Sequence, residues 1–169
     1  KTIKLLLKQY PSAELTMVGP DKDGSLAKCR KFSKKHQLPV KFTGKLKKSA
    51  WISLAATHDI FLNTTNFDNT PVSLIEAMAL GIPILSTNVG GIPFLLKDKK
   101  EGFLVPPNNV NVLVEKICTV IEHPVHVMEI TRNARKKAET FDWKVVKGDW
   151  MNIFERSVAD CHSDRSVGE

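Results

Sequence analysis

The chain has 169 residues, of which 42% are hydrophobic and 25% charged, a composition that specifies a folded core of single-domain size and excludes a disordered chain. Its net charge of +7 is lopsided, with 13 Lys and Arg against 3 Asp and Glu in residues 1–50, and 12 against 15 thereafter. No run of about 18 apolar residues occurs, which excludes a membrane-spanning helix of ordinary kind.

The chain opens at Lys1 without a signal-peptide pattern and reads as a piece of a longer protein. Leu15–Val18, ended by Gly19-Pro20, reads as a buried strand and turn. Ser25–Gln37 reads as a helix, and Val40–Thr43 before Gly44 as a second strand. Ser49 is placed to cap a helix through Thr57. Asp59–Asn63 reads as a third strand, Pro71–Leu80 as a helix closed by Gly81, and Ile82–Ser86 as a fourth strand. Gly102–Val105 is a fifth strand, stopped by Pro106-Pro107. Three helices follow, over Val110–Glu122, Val125–Thr140 and Trp143–Asp160, before a polar tail, Ser163–Glu169. The alternation of short apolar strands with helices predicts one α/β domain over residues 1–162, with a single parallel sheet covered on both faces. Ligands of such sheets bind beyond the carboxyl ends of the strands, so the loops after Val18, Phe42, Asn63 and Ser86 are where chemistry is expected.

Asn63–Pro93 is the most informative segment. A strand ends at Asn63 and a polar loop follows. Asn69 or Thr70 is placed to cap the next helix, with Pro71 at its first position. The free amides of Val72 and Ser73 would then face out of the helix N-terminus, an arrangement that favours phosphate. Asp68 and Glu76 flank that anion site. Carboxylates repel phosphate, so the hydroxyls of a sugar and a ribose are their expected targets. Glu76 sits among Leu74, Ile75, Ala77, Met78, Ala79 and Leu80, so the helix is expected to be buried nearly all round and Glu76 to need a partner. The competing reading of Glu76 is an ion pair with a lysine. For Asp68 it is a turn or cap. Gly90-Gly91 either lets backbone approach a ligand or simply turns.

Other chemistry has little support. Cys29, Cys118 and Cys161 are far apart and odd in number, which excludes a disulfide framework and a CxxC zinc site. His123 and His126 flank Pro124 at a helix boundary, so no metal site is expected. His58 reads as structural, and Trp51, Trp143 and Trp150 as packing residues. No nucleophile motif, P-loop or GxGxxG occurs. The basic third reads first as a solvated helix and loops. Its few aromatics and the lack of any nucleic-acid-binding signature argue against nucleic acid.

Asp68-x7-Glu76, then Ala77-Met78-Ala79-Leu80-Gly81-Ile82-Pro83, then Gly90-Gly91-Ile92-Pro93 resembles a family pattern. It is similar to the E-x7-E, AMA-x-G-x-P and GG-x-P-E motifs of retaining family 4 glycosyltransferases (glycosyl transferases group 1). The likeness is to their carboxyl-terminal, nucleotide-sugar-binding domain. Leu15–Gly19, Phe42-Thr43-Gly44, Asp59–Leu62, Gly102–Pro107 and Phe141-Asp142-Trp143 extend it over nearly the whole chain. The resemblance implies a Rossmann-like, three-layer domain, the C-terminal half of a GT-B fold. It implies that Glu76 holds the ribose and Asp68 the donor sugar. The amides of Thr70, Val72 and Ser73 would approach the diphosphate and backbone around Lys45 and Leu46 would hold the base, with Gly44, Asn69 and Pro71 also at the donor site and Asp68 and Glu76 as its catalytic pair. Gly19 would lie at the binding edge.

The expected donor is a UDP, GDP or ADP sugar, with no tightly bound cofactor. The expected partner is an acceptor-binding N-terminal domain outside this chain. A cytoplasmic enzyme of polysaccharide or glycolipid synthesis is implied, and the basic third leaves room for a peripheral place on the inner membrane face. The alternatives are a sugar-nucleotide epimerase or phosphorylase, and a non-catalytic module with a basic anion-binding surface. Three departures from the family are evident. The first acid is Asp, Phe94 stands where the family has Glu after GG-x-P, and the Arg and Lys that grip the diphosphate would precede Lys1.

Overall fold

The computed structural model describes residues 1–163, and side chains through residue 156. The chain runs α1 (Thr2–Leu6), β1 (Leu15–Val18), α2 (Ser25–Lys35), β2 (Val40–Gly44), α3 (Lys48–Ala55), β3 (Phe61–Asn63) and α4 (Val72–Leu80). It continues through β4 (Ile84–Thr87), α5 (Ile92–Leu95), β5 (Phe103–Val105), α6 (Val110–Glu122), α7 (Pro124–Glu139) and α8 (Trp143–Ser163). The polar tail expected from Ser163 lies outside the described residues from position 164 onward.

Every strand pairing is parallel, as the strand–helix alternation requires. The strands form two ladders rather than the one sheet expected: β1 with β2, and β3-β4-β5 in that order. Leu15 stands opposite Val40, Phe61 opposite Ile84, and Leu85 opposite Phe103. A small groove of about 50 Å³ lies between the ladders, lined by residues that include Thr16 of β1, Trp51 of α3, His58 of the α3–β3 connection and Phe61 of β3. No backbone ladder joins β1 to β3 among the described residues. His58 spans the groove mouth. Its Nε2 lies 2.8 Å from Thr16 Oγ1 and its Nδ1 2.8 Å from the Leu54 carbonyl, which is the structural role expected of it.

The core lies on both faces of the β3-β4-β5 ladder. All four residues of β4 are buried, as a central parallel strand requires. Leu85 joins Ile3, Leu6, Phe103, Val105, Leu113 and Ile117 on one face. Its neighbour Ile84 points the other way, into Leu74, Ala77, Met78, Ile92 and Ala134 from α4, α5 and α7. Asn109 caps α6 by accepting from the Val112 amide at 3.1 Å. Gly81 closes α4 in the left-handed conformation at φ 70°, the C-cap the sequence predicts.

Several expectations need correction. The helix after Asn63 begins at Val72, with Pro71 as its N-cap and no side chain capping it. The helix is not buried all round: Leu74, Ala77 and Met78 face the core, while Val72, Ser73 and Ala79 are exposed. Trp51 is half-buried and meets Phe61 edge-on, its ring centroid 5.8 Å away. Trp143 and Trp150 are not core residues, being 65% and 50% exposed on α8.

Candidate functional site

Within each parallel ladder the carboxyl ends of the strands share one edge, where the predicted loops leave. Gly19 follows β1 and Gly44 ends β2. The two are joined by the Gly19 amide donating to the Gly44 carbonyl at 2.9 Å. Both hold φ values of L-residue disfavour, 137° and 67°, so the turns at this edge are built on glycine. Lys45 is exposed and Leu46 half-buried directly beyond.

The β3–α4 loop carries Asp68, Asn69 and Thr70. It rests on the Gly90-Gly91 turn after β4. The Gly91 amide donates to the Asp68 carbonyl at 3.0 Å. A Cβ on Gly90 would lie 2.1 Å from the Asp68 carbonyl oxygen, and one on Gly91 2.1 Å from that of Asn69. The two glycines therefore let two protein backbones touch, a role that neither of the readings from the sequence named. Thr87 Oγ1 also donates to the Thr65 carbonyl at 2.6 Å, tying the start of the same loop to β4.

α4 then leaves this loop with the amides of Val72 and Ser73 unpaired among the described residues, since Leu74 is the first to bond back, to the Pro71 carbonyl at 2.9 Å. Their positive ends face the edge where the loop ends. The Asp68 carboxylate is half-buried and caps nothing. Glu76, in the second turn, is mostly covered, and its Oε1 accepts from Lys48 Nζ at the start of α3. The partner that a Glu among apolar neighbours needs is thus a lysine 28 positions away.

The remaining candidates lie elsewhere. Phe94, 86% exposed, projects from α5. Among the described residues no group of three or more His, Cys, Asp or Glu converges to hold a metal ion, and no helix is long and apolar enough to cross a membrane. Cys118 is buried, and burial raises its thiol pKa above the usual value. Lys48 and Thr87 were not legible as site residues. Lys48 lies in a run of lysines that carries no motif, and Thr87 follows a strand read as ending at Ser86.

A Rossmann-like α/β fold of this kind binds its ligands beyond the carboxyl ends of its strands, where the β3–α4 loop and the open α4 amides lie. The family profile for glycosyl transferases group 1 matches residues 1–137, and the chain belongs to that family. It is 31% identical to sulfoquinovosyl transferase SQD2 of Arabidopsis thaliana over 111 residues, 63% of this chain and 22% of that protein. It is 30% identical to the amylovoran biosynthesis glycosyltransferase AmsK of Erwinia amylovora over 92 residues, 54% of this chain and 23% of that one. Its fold matches Anabaena Alr3699/HepE, solved in complex with UDP-glucose, at a TM-score of 0.80 and 24% identity, covering 92% of this chain and 44% of that one. The matches thus span less than half the length of each of these proteins.

Proposed function

We propose that this chain is the donor-binding part of a retaining glycosyltransferase, which moves a sugar from a nucleotide diphosphate to an acceptor hydroxyl. The observation that carries this reading is the succession of Asp68 in the β3–α4 loop, the open amides of Val72 and Ser73 in the first turn of α4, and the mostly covered Glu76 in its second turn. In this reading the Val72 and Ser73 amides receive the diphosphate, Glu76 accepts from the ribose hydroxyls, and Asp68 accepts from the donor sugar. Gly44, Lys45 and Leu46 border the base, with Gly19 beside them. Family membership and a structural neighbour solved with UDP-glucose support the donor class.

The acceptor hydroxyl attacks the anomeric carbon on the face the diphosphate leaves. The bond from that carbon to the phosphate oxygen breaks, and the hydroxyl proton passes to the departing phosphate. The protein's part is orientation and stabilisation of developing negative charge, which the helix N-terminus supplies without a protein nucleophile. The acceptor would bind to polypeptide outside this chain, so transfer requires the whole enzyme. Synthesis of a polysaccharide or glycolipid is the proposed setting, and one relative is named for amylovoran biosynthesis.

Calorimetric titration with UDP, GDP, ADP and their sugars, beside Glu76→Ala, tests the reading. Saturable binding of one nucleotide, lost in the variant, is expected. Binding that ignores Glu76→Ala would overturn it.

A further inference from the structure

We infer that Lys48 is a positioning residue of the donor site: it fixes the Glu76 carboxylate through one oxygen and leaves the other for the ribose hydroxyls. The inference rests on the donor-site reading above. Lys48 is the first residue of α3, immediately beyond the loop that closes β2, and α3 packs against α4. Its Nζ donates to Oε1 of Glu76, whereas no described residue donates to Oε2.

The asymmetry of the pair gives it this character. The Lys48 side chain is 61% exposed, whereas that of Glu76 is 24% exposed. A lysine anchored on the solvent side adds little stability by itself. The covered carboxylate, by contrast, has several favoured rotamers and no other hydrogen-bond partner among the described residues. A carboxylate offers about four lone-pair directions, so one ammonium contact orients it without filling it. Two vicinal hydroxyls need an acceptor held in a fixed plane. Lys45 and Lys47 flank the same loop and are exposed, yet neither reaches Glu76.

The test is a double-mutant cycle on nucleotide affinity. Lys48→Met, Lys48→Arg, Glu76→Gln and Lys48→Met/Glu76→Gln are titrated with the tightest binder among UDP, GDP and ADP, and with its nucleoside. Thermal unfolding of each variant accompanies the titrations. Lys48→Met is expected to weaken the nucleotide about three- to tenfold. It should weaken the nucleoside by the same factor, because the lysine acts through the ribose contact. Lys48→Arg, which keeps the charge, should stay within about twofold of wild type. In the Glu76→Gln background the Lys48→Met effect should shrink below about twofold.

An equal loss in both backgrounds, or a loss confined to the diphosphate, would overturn the inference by making Lys48 a direct ligand. A Lys48→Met variant that binds like wild type would overturn it too. Should Glu76→Ala bind like wild type, the donor-site reading itself fails, and this inference with it. Only in that last case does the Glu76 variant, rather than the Lys48 variant, carry the contradiction.

Discussion

Replacing Gly91 by alanine probes how the donor loop is held. The new Cβ would stand 2.1 Å from the Asn69 carbonyl oxygen, 2.8 Å from its carbon and 3.1 Å from its Cα, all backbone atoms. Real Cβ contacts essentially never fall below 3.0 Å, so the Asn69 carbonyl must retreat by about an ångström. Gly91 itself holds φ −85° and ψ −4°, a negative-φ conformation that alanine can take, so the close approach is what the substitution tests. Overpacking of this kind costs about 1–3 kcal/mol of stability. The same shift carries Asp68, Asn69 and Thr70 away from the donor, and misplacement by about 1 Å costs about 100-fold in turnover. Chemical denaturation reads the first effect, and donor-dependent transfer by the whole enzyme reads the second. A Gly91→Ala variant with unchanged unfolding midpoint and turnover within twofold of wild type would refute the reasoning.

Other perturbations have equally definite outcomes. Leu74→Ala removes a fully buried side chain from between α4, α5 and α7, and should cost about 2–5 kcal/mol in urea unfolding. Desolvation, then the charges of Lys4 and Lys35, hold the His36 pKa below the ordinary histidine value of 6.5. Just below pH 6.5 the unfolded chain therefore binds more protons than the folded one, so stability rises with pH through that window. His36→Gln should flatten the melting temperature between about pH 5 and 7, and an unchanged slope would exclude this cause. Reversing Lys31 and Lys34 on exposed α2 should leave nucleotide affinity within about twofold, while a large loss would draw the basic third into the site.

Legibility in the sequence followed the range of the interactions involved. The strand around Ile84 and the cap at Gly81 were readable because apolar runs and glycine punctuation are local signals. α1 and α5 were not. Thr2–Leu6 gives less than two helical turns of pattern, and Ile92–Leu95 hides inside a glycine-proline turn. The division into two ladders depends on which strand edges meet, and periodicity within a strand carries no record of that. Trp143 and Trp150 show the reverse error, since apolar spacing on α8 looks like a core face yet stays exposed. In the candidate site, the loop, the open helix start at Val72 and the half-covered Glu76 could be placed from the sequence. The Lys48–Glu76 pair and the backbone contact of Gly91 with Asn69 were not, because each joins segments brought together only by the fold.

The central claim is that donor nucleotide sits on the α4 N-terminus between Asp68 and Glu76. Mapping amide chemical shifts as the nucleotide is titrated into the isotope-labelled chain tests this most directly. The account predicts the largest shifts at Gly44–Leu46 and at Asn69, Thr70, Val72 and Ser73, with α2 unmoved. Shifts concentrated on the lysines of α2, or spread without reference to the α4 N-terminus, would contradict it.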